Sequence, residues 1–211
     1  MKDFFLNHPN NKIIPTISTE ILANSSSMKF HTNLEDYNCP PLVSLKSLAK
    51  ELKINNLFVK DESERFGLNA FKVLGASYAV NHLLNHESNI TTFCTATDGN
   101  HGRAVAWSAR KENKKCVVYV PENTTNLRMN AISKEGAEVY KLKMNYEKTC
   151  DYAKKMSLEN NWTLIQDTSW ENYEEIPSLI MSGYLTHFHE LENQMELNYN
   201  SKIDIIFLQC G

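Results

Sequence analysis

The residue best suited to covalent chemistry is Lys72, which ends the run Arg65-Phe66-Gly67-Leu68-Asn69-Ala70-Phe71-Lys72. It stands in a mostly apolar stretch, at the predicted start of a helix. Desolvation and the positive end of a helix dipole both favour a neutral amine. A neutral amine is what a lysine needs in order to form a Schiff base with an aldehyde. The spacing alone fits equally a lysine whose charged end reaches out to the surface, so both interpretations stay open.

A second group of candidate residues lies between a predicted strand and a predicted helix and reads Thr97-Asp98-Gly99-Asn100-His101-Gly102. Two glycines let the backbone pass close to a ligand, and the first N–H groups of a helix can bind an anion such as a carboxylate. Asp98 can act as a base, and Asn100 can donate or accept a hydrogen bond. An ordinary turn with a capping Asp or Asn would read the same way. A histidine in the place of His101 is more often structural than catalytic.

A third group follows another predicted strand and reads Gln166-Asp167-Thr168-Ser169-Trp170-Glu171-Asn172-Tyr173. In open α/β sheets, ligands bind beyond the carboxyl ends of the strands. Asp167 therefore stands where a second acid or base could reach the same crevice as Asp98. A carboxylate that only caps the next segment would fit this spacing as well.

Alternating strands and helices are expected to position these three groups. Strands are predicted at 56–60, 91–97, 116–121, 137–142, 162–165 and 203–208, and helices near 45–52, at 70–86, after Gly102, at 126–134, at 146–160 and around 176–184. The first forty residues read as irregular, and 61–69 as a polar loop. Because strand and helix alternate from about residue 56 onward, the sequence predicts an α/β fold with a mainly parallel sheet.

Composition excludes several other classes of protein. The net charge of -3 provides no basic field for nucleic acid or anionic lipid. No apolar run approaches the ~20 residues of a membrane span, and Met1–Phe5 lack the features of a signal peptide, so a cytoplasmic location is expected. The five cysteines contain no C-x-x-C pair, so the sequence indicates neither a zinc ribbon nor a redox-active cysteine pair. His187 and His189 do not share a helical face, which argues against a metal site there.

The three groups together resemble the tryptophan-synthase-β-like family of pyridoxal-phosphate enzymes, and within it the diaminopropionate ammonia-lyases most. The resemblance runs over roughly residues 30–211 and is carried by 65–72, 97–103 and 166–171, with Ile176-Pro177 and Gly183-Tyr184. Asp98 favours the ammonia-lyases over the serine and threonine dehydratases, whose corresponding loop is similar but has Ser in that place. The stretch Asp167-Thr168-Ser169-Trp170 also favours the ammonia-lyases.

The resemblance implies a two-lobed architecture of fold-type II with mainly parallel sheets. Residues 1–76 and 178–211 would belong to a large cofactor domain, and residues 77–177 to a small α/β domain. It also implies pyridoxal 5'-phosphate as the cofactor, a small amino acid as the substrate and a homodimer as the assembly. Neither nucleic acid nor a membrane is expected as a partner.

The same resemblance implies a role for each candidate residue. Lys72 would bind the cofactor covalently, and Asn100 would bond the oxygen of its ring hydroxyl. Asp98 would take the α-proton from one enantiomer of 2,3-diaminopropionate and Asp167 from the other, in an α,β-elimination that yields pyruvate and ammonia. The substrate carboxylate would be held by the loop residues Thr97, Gly99, His101 and Gly102.

Members of this family are considerably longer, and their glycine-rich phosphate-binding loop follows the strand that here ends in Gln209-Cys210-Gly211. The chain is therefore expected to be an N-terminal part of this fold, without the C-terminal part of the large domain. A β-eliminating lyase of the serine or threonine dehydratase type is the nearest alternative. A non-catalytic truncated remnant, or one half of a split enzyme, is the alternative from another class.

Overall fold

The computed structural model describes residues 16–199 and 203–208. Its helices are α1 (Ile17–Ala23), α2 (Ser27–Thr32), α3 (Lys46–Leu52), α4 (Lys72–His86), α5 (Asn100–Lys111), α6 (Asn126–Ser133), α7 (Tyr146–Glu159) and α8 (Glu175–Tyr199). Its strands are β1 (Leu42–Ser44), β2 (Phe58–Lys60), β3 (Thr92–Ala96), β4 (Lys115–Val120), β5 (Glu138–Lys141) and β6 (Thr163–Leu164). Within these residues no helix is long and apolar enough to cross a membrane.

The central sheet consists of four parallel strands in the order β5-β4-β3-β6. On β3, Cys94 lies opposite Val117 of β4 and Leu164 of β6. The predicted α/β fold with a parallel sheet is confirmed. The predicted strand at 56–60 is present as β2, but it pairs antiparallel with β1 and lies outside the central sheet. The three-residue strand β1 is too short for the sequence pattern to predict.

Strands β3 and β4 are buried on both faces, as their nearly continuous apolar runs predict. Side chains alternate between two clusters, because successive residues of a strand point to opposite faces. Phe93 and Val118 pack into the larger cluster with residues of α4 and α5. Cys94 and Val117 pack into the smaller one with Ala153 of α7. This covered sheet holds the ends of β3 and β6 in fixed positions relative to α4 and α5.

Helices α4 and α8 cross at a pair of glycines. A Cβ built on Gly183 would lie 2.3 Å from Leu74 O and 2.7 Å from Gly75 Cα. A Cβ built on Gly75 would lie 2.8 Å from Ile180 O. Since backbone atoms cannot move aside cheaply, both positions must be glycine for the helices to approach this closely. The crossing lies one turn from Lys72, so it also sets the position of the first turn of α4.

We therefore expect Gly183→Ala to lower the free energy of unfolding by about 1–3 kcal/mol, the usual cost of overpacking a tight contact. Denaturant-induced unfolding measures this loss. Met181→Ala is the matched control, because Met181 is 43% exposed on the same helix. Equal stabilities of the two variants would contradict the close crossing.

The prediction of an irregular N-terminal region is wrong for residues 17–32, which form α1 and α2. Thr16 and Thr19 form a capping box at the start of α1. Both helices pack on α8, and the His31 imidazole is fully buried, with Thr186 Oγ1 2.6 Å from Nδ1 and Leu74 O 3.0 Å from Nε2. Tertiary packing on α8 therefore stabilises helices whose apolar periodicity is weak.

The predicted strand at 203–208 is also wrong, since the structure assigns these residues no strand. Ile205 is 71% exposed and Phe207 is 87% exposed. High β-propensity produces a strand only where a neighbouring strand offers hydrogen bonds and a packing surface. The predicted continuation at 209–211 lies outside the described residues.

Candidate active site

Three side chains from different elements converge near the carboxyl ends of β3 and β6. Lys72 is the first residue of α4, His101 lies in the first turn of α5, and Asp167 follows β6. Lys72 Nζ is 2.8 Å from Asp167 Oδ2. His101 Nδ1 is 3.6 Å from the same oxygen. From the sequence, Asp167 is expected in one crevice with Asp98, and the resemblance implies that Lys72 belongs to the same site. The structure brings Lys72 and Asp167 into direct contact.

The electrostatics of this group centre on Asp167. Burial alone would raise the pKa of Asp167, but the charge that His101 can carry and the hydrogen bond from Lys72 hold it below its usual range. Burial lowers the pKa of His101, and this outweighs the opposite effect of Asp167. His101 is therefore neutral at pH 7, and the direct partner of the Asp167 carboxylate is the Lys72 amine at 2.8 Å.

The Lys72 amine sits against aromatic rings and remains reachable from solvent. Its side chain is 31% exposed, so the desolvation that the sequence suggests is only partial. The rings of Phe71 and Tyr184 have their centroids 5.7 Å from Nζ. Tyr184 Oη is buried and has no hydrogen-bond partner among the described residues.

The loop at 97–102 is closed by its own threonine. Thr97 Oγ1 accepts hydrogen bonds from Gly99 N at 3.0 Å and from Gly102 N at 3.2 Å. A Cβ on Gly102 would lie 2.2 Å from Thr97 Cγ2, so this closure requires a glycine. The helix begins at Asn100, so the turn predicted at 98–102 ends earlier. Carboxylate binding by Thr97, Gly99, His101 and Gly102 stays a prediction, and in the structure the N–H groups of Gly99 and Gly102 donate to Thr97 Oγ1.

Asp98 is exposed, and its contacts are with Arg128. Its side chain is 73% exposed, and its Oδ2 lies 3.9 Å from Arg128 Nη1. The same guanidinium group donates to Asp98 O at 3.1 Å. Asn100 is exposed at the start of α5. Both side chains are therefore open to solvent, and their predicted roles stay predictions.

Tyr173, Gln166 and Trp170 hold the segment after β6 in place, and we call these three residues the brace. No pattern in the sequence predicts their contacts. Tyr173 Oη donates to Leu164 O and accepts from Gln166 N, both at 2.8 Å. Gln166 Oε1 accepts from Ala96 N at 3.1 Å. The Tyr173 ring stacks on Trp170 with centroids 4.1 Å apart. Asp167 thus leaves the sheet in a direction that these contacts define.

We expect Tyr173→Phe to cost about 1–3 kcal/mol, because the buried Gln166 N–H and Leu164 carbonyl both lose their partner. Thermal or denaturant unfolding measures the difference. Tyr140→Phe is the matched control, because the Tyr140 hydroxyl bonds the Glu138 carboxylate in an exposed position. A loss no larger than that of the control would show that the brace is dispensable.

The segment before Lys72 is fixed by a buried ion network. The prediction of an exposed polar loop is wrong for Arg65 and Phe66, which are both buried at a non-helical kink within the 3-10 segment Glu62–Gly67. Arg65 pairs with Glu62 and, across the fold, with Glu190 of α8. Phe66 has a φ of 49°, an uncommon value for an aromatic residue. Its ring packs on Trp107 of α5, which holds the backbone in this conformation.

Comparisons with known proteins agree on one family. The family described as pyridoxal-phosphate dependent enzyme matches residues 35–211. Diaminopropionate ammonia-lyase of Escherichia coli (strain K12) is 39% identical over 184 residues, which cover 79% of this chain and 46% of the relative. Its counterpart in Salmonella typhimurium (strain LT2) is 38% identical over 216 residues, covering 92% and 52%.

A solved structure agrees in fold as well as in sequence. It is the crystal structure of diaminopropionate ammonia lyase from Escherichia coli in complex with an aminoacrylate-PLP azomethine reaction intermediate. The TM-score is 0.82 and the identity 37%, over 89% of this chain and 51% of that one. The chain spans about half the length of the curated relatives it matches.

Proposed function

The chain belongs to the family of pyridoxal-phosphate dependent enzymes, and on that footing we propose that its site eliminates ammonia from 2,3-diaminopropionate and yields pyruvate. The observation that carries the proposal is the contact of 2.8 Å between Lys72 Nζ and Asp167 Oδ2. It supports a site in which an amine and a base act together. The likeness to diaminopropionate ammonia-lyases supports the choice of substrate.

The residues around Lys72 fit pyridoxal 5'-phosphate, the cofactor of this family. The amine is accessible, and the rings of Phe71 and Tyr184 offer apolar surface beside it. The unpartnered Tyr184 hydroxyl and the exposed Asn100 side chain can bond polar atoms of a ring. When bound, pyridoxal phosphate supplies an electron sink that stabilises the negative charge left on a substrate α-carbon after proton removal.

Asp167 prepares Lys72 to react with an aldehyde. A charged ammonium is not a nucleophile, so Lys72 Nζ must first give up a proton. Asp167 Oδ2 lies at hydrogen-bond distance and is the group that receives this proton. The two side chains therefore act as a nucleophile and its base.

The same carboxylate can serve as a base toward the substrate. With Lys72 engaged, Asp167 is free to take the α-proton of one enantiomer. Asp98, whose side chain is 73% exposed, would take the α-proton of the other enantiomer. The loop residues Thr97, Gly99, His101 and Gly102 would hold the substrate carboxylate near the start of α5.

We expect Asp98→Asn and Asp167→Asn each to reduce turnover of a different enantiomer of 2,3-diaminopropionate by about 10²–10⁴-fold, the range for loss of a general base. Pyruvate release from the pure D and L forms measures this. L-serine and L-threonine serve as comparison substrates, because faster release from them would favour a dehydratase. Equal losses for both enantiomers in both variants would contradict the assignment of two bases.

The larger organisation follows from the same proposal. We assign residues 1–76 and 178–211 to a large cofactor domain and residues 77–177 to a small domain, which would contain the four-stranded sheet. A homodimer in the cytoplasm is the expected assembly and location. Analytical ultracentrifugation tests the dimer directly.

A further inference from the structure

The His101 imidazole lies between two groups of the segment that follows β6. Its Nε2 is 2.8 Å from Ile165 O, and its Nδ1 is 3.6 Å from Asp167 Oδ2. A carbonyl oxygen only accepts hydrogen bonds, so Nε2 must carry the hydrogen. In the neutral ring, Nδ1 therefore presents a bare lone pair toward Asp167.

This lone pair is buried without a hydrogen-bond donor. Nδ1 has no hydrogen-bond partner within the described part of the chain, and the side chain is 6% exposed. Its nearest charged neighbour is a carboxylate oxygen, which is itself an acceptor. Two acceptors that face each other are satisfied only when a proton lies between them. The geometry thus provides an empty proton position next to Asp167.

We propose that His101 Nδ1 is the transient acceptor of a proton relay that runs from Lys72 Nζ through Asp167 Oδ2. In the first transfer, an N–H bond of the Lys72 ammonium breaks and an O–H bond forms on Asp167. In the second, that O–H bond breaks and an N–H bond forms on Nδ1. No electron is gained or lost, and the positive charge moves from Lys72 to the imidazole. The Ile165 carbonyl stabilises this charge through Nε2–H.

Four other ionisable groups lie close enough to Asp167 to be affected by its charge, but they cannot accept its proton. They are Tyr146 and Cys150 of α7, Tyr173 of the brace and Tyr184 of α8, and burial raises the pKa of each. All four therefore keep their protons at neutral pH and cannot accept another. Among the described residues with a shown interaction with Asp167, His101 is the one neutral base. His101 would not contact the substrate itself. It is a positioning residue, because it sets the charge of Asp167, which would contact the substrate.

The relay explains how one carboxylate serves twice. After Asp167 has taken the proton of Lys72, it must be a carboxylate again before it can take a proton from a substrate. Transfer to Nδ1 restores the carboxylate without solvent. This inference rests on the proposed function only in taking Lys72 as the nucleophile.

The first test is an NMR titration of the imidazole nitrogens in protein labelled with ¹⁵N-histidine. The His101 signals are assigned by their loss in His101→Gln, in which the amide can still donate to Ile165 O. We expect the Nε2–H tautomer at pH 7. We also expect Asp167→Asn to lower the midpoint of the His101 titration by at least about one pH unit, because a facing carboxylate favours the imidazolium. Asp98→Asn is the control and leaves the midpoint unchanged.

The second test follows the pH dependence of the reaction of Lys72 with pyridoxal 5'-phosphate, by absorbance. We expect His101→Gln to move the rising limb of the rate profile to higher pH by about one unit. A packing role alone would scale the rate equally at every pH and leave the midpoint in place. An unchanged midpoint of the rate profile in His101→Gln would overturn the relay. So would an Nδ1–H tautomer at pH 7, or a His101 titration midpoint that is the same in Asp167→Asn as in the unmodified protein. Absence of pyruvate formation together with an intact coupling would refute the proposed function and leave the relay standing.

Discussion

Replacement of Lys72 by alanine is expected to abolish the visible absorbance band that the protein acquires with pyridoxal 5'-phosphate. The band reports the covalent imine between an amine and the aldehyde, and alanine has no amine. Formation of pyruvate should fall by on the order of 10⁴-fold or more, the scale on which loss of a covalent nucleophile acts. Absorbance spectra and pyruvate release on the same preparations measure both effects.

Lys111→Ala is the matched control for this variant. Lys111 is 41% exposed, pairs with Asp36 and lies 5.4 Å from the centre of the Trp107 ring. It resembles Lys72 in having a carboxylate partner and an aromatic neighbour, but it lies on α5 away from the strand ends. The band should survive in Lys111→Ala. A band of full strength in Lys72→Ala would assign the cofactor to another lysine.

The second large effect concerns the buried network behind Lys72. Glu190 of α8 accepts from Arg65 Nη1 and Nη2, both at 2.7 Å, and its Oε2 is 2.9 Å from Lys60 Nζ. Tyr37 Oη donates to its other oxygen at 2.8 Å. The side chains of Arg65 and Glu190 are fully buried. The network joins α8 to the segment that ends in Lys72, so it stabilises the fold and the position of the Lys72 amine.

We expect Arg65→Met to lower the free energy of unfolding by about 3–5 kcal/mol, because breaking a buried ion pair leaves an uncompensated charge. Denaturant-induced unfolding at neutral pH measures the loss. Arg110→Met is the control, since the Arg110 side chain is 49% exposed in its pair with Glu135 and such pairs contribute about 0–1 kcal/mol. Similar losses in the two variants would contradict the role of the network.

The pH dependence of stability gives an independent check of the same network. Burial would raise the pKa of Glu190, but hydrogen bonds and charge from Arg65, followed by Lys60 and Tyr37, lower it to about 2. Its pKa in the unfolded chain is higher, so the stabilisation is fully present above that value. It is lost as the pH falls from the unfolded pKa toward 2. Arg65→Met should flatten this acid limb of the stability profile.

The sequence predicts the parts of the site that depend on local pattern. The apolar runs of β3 and β4 and the periodicity of α4 place Lys72 at a helix start. The position of Asp167 after β6 follows from the same alternation of elements. The resemblance then implies a role for each of these residues. The structure adds the direct contact between Lys72 and Asp167, which the sequence does not predict.

The remaining features depend on residues that are distant in the sequence. Arg65 and Glu190 are 125 positions apart, and no local pattern marks Arg65 as a buried residue. His101 meets Ile165 across 64 positions, so its inward orientation follows only from the packing of α5 on the sheet. At 203–208 the local pattern itself misleads, because residues of strong β-propensity predict a strand and the structure has none there.

The most direct test of the account is to treat the protein with pyridoxal 5'-phosphate, reduce the product with borohydride and locate the pyridoxyl group by peptide mass spectrometry. Reduction makes the imine permanent, so the modified residue can be read from the fragment masses. The account predicts modification at Lys72, with little at the exposed lysines when the cofactor is equimolar. Modification at another lysine, or equal modification of many, would contradict the assignment of Lys72 as the cofactor-binding residue.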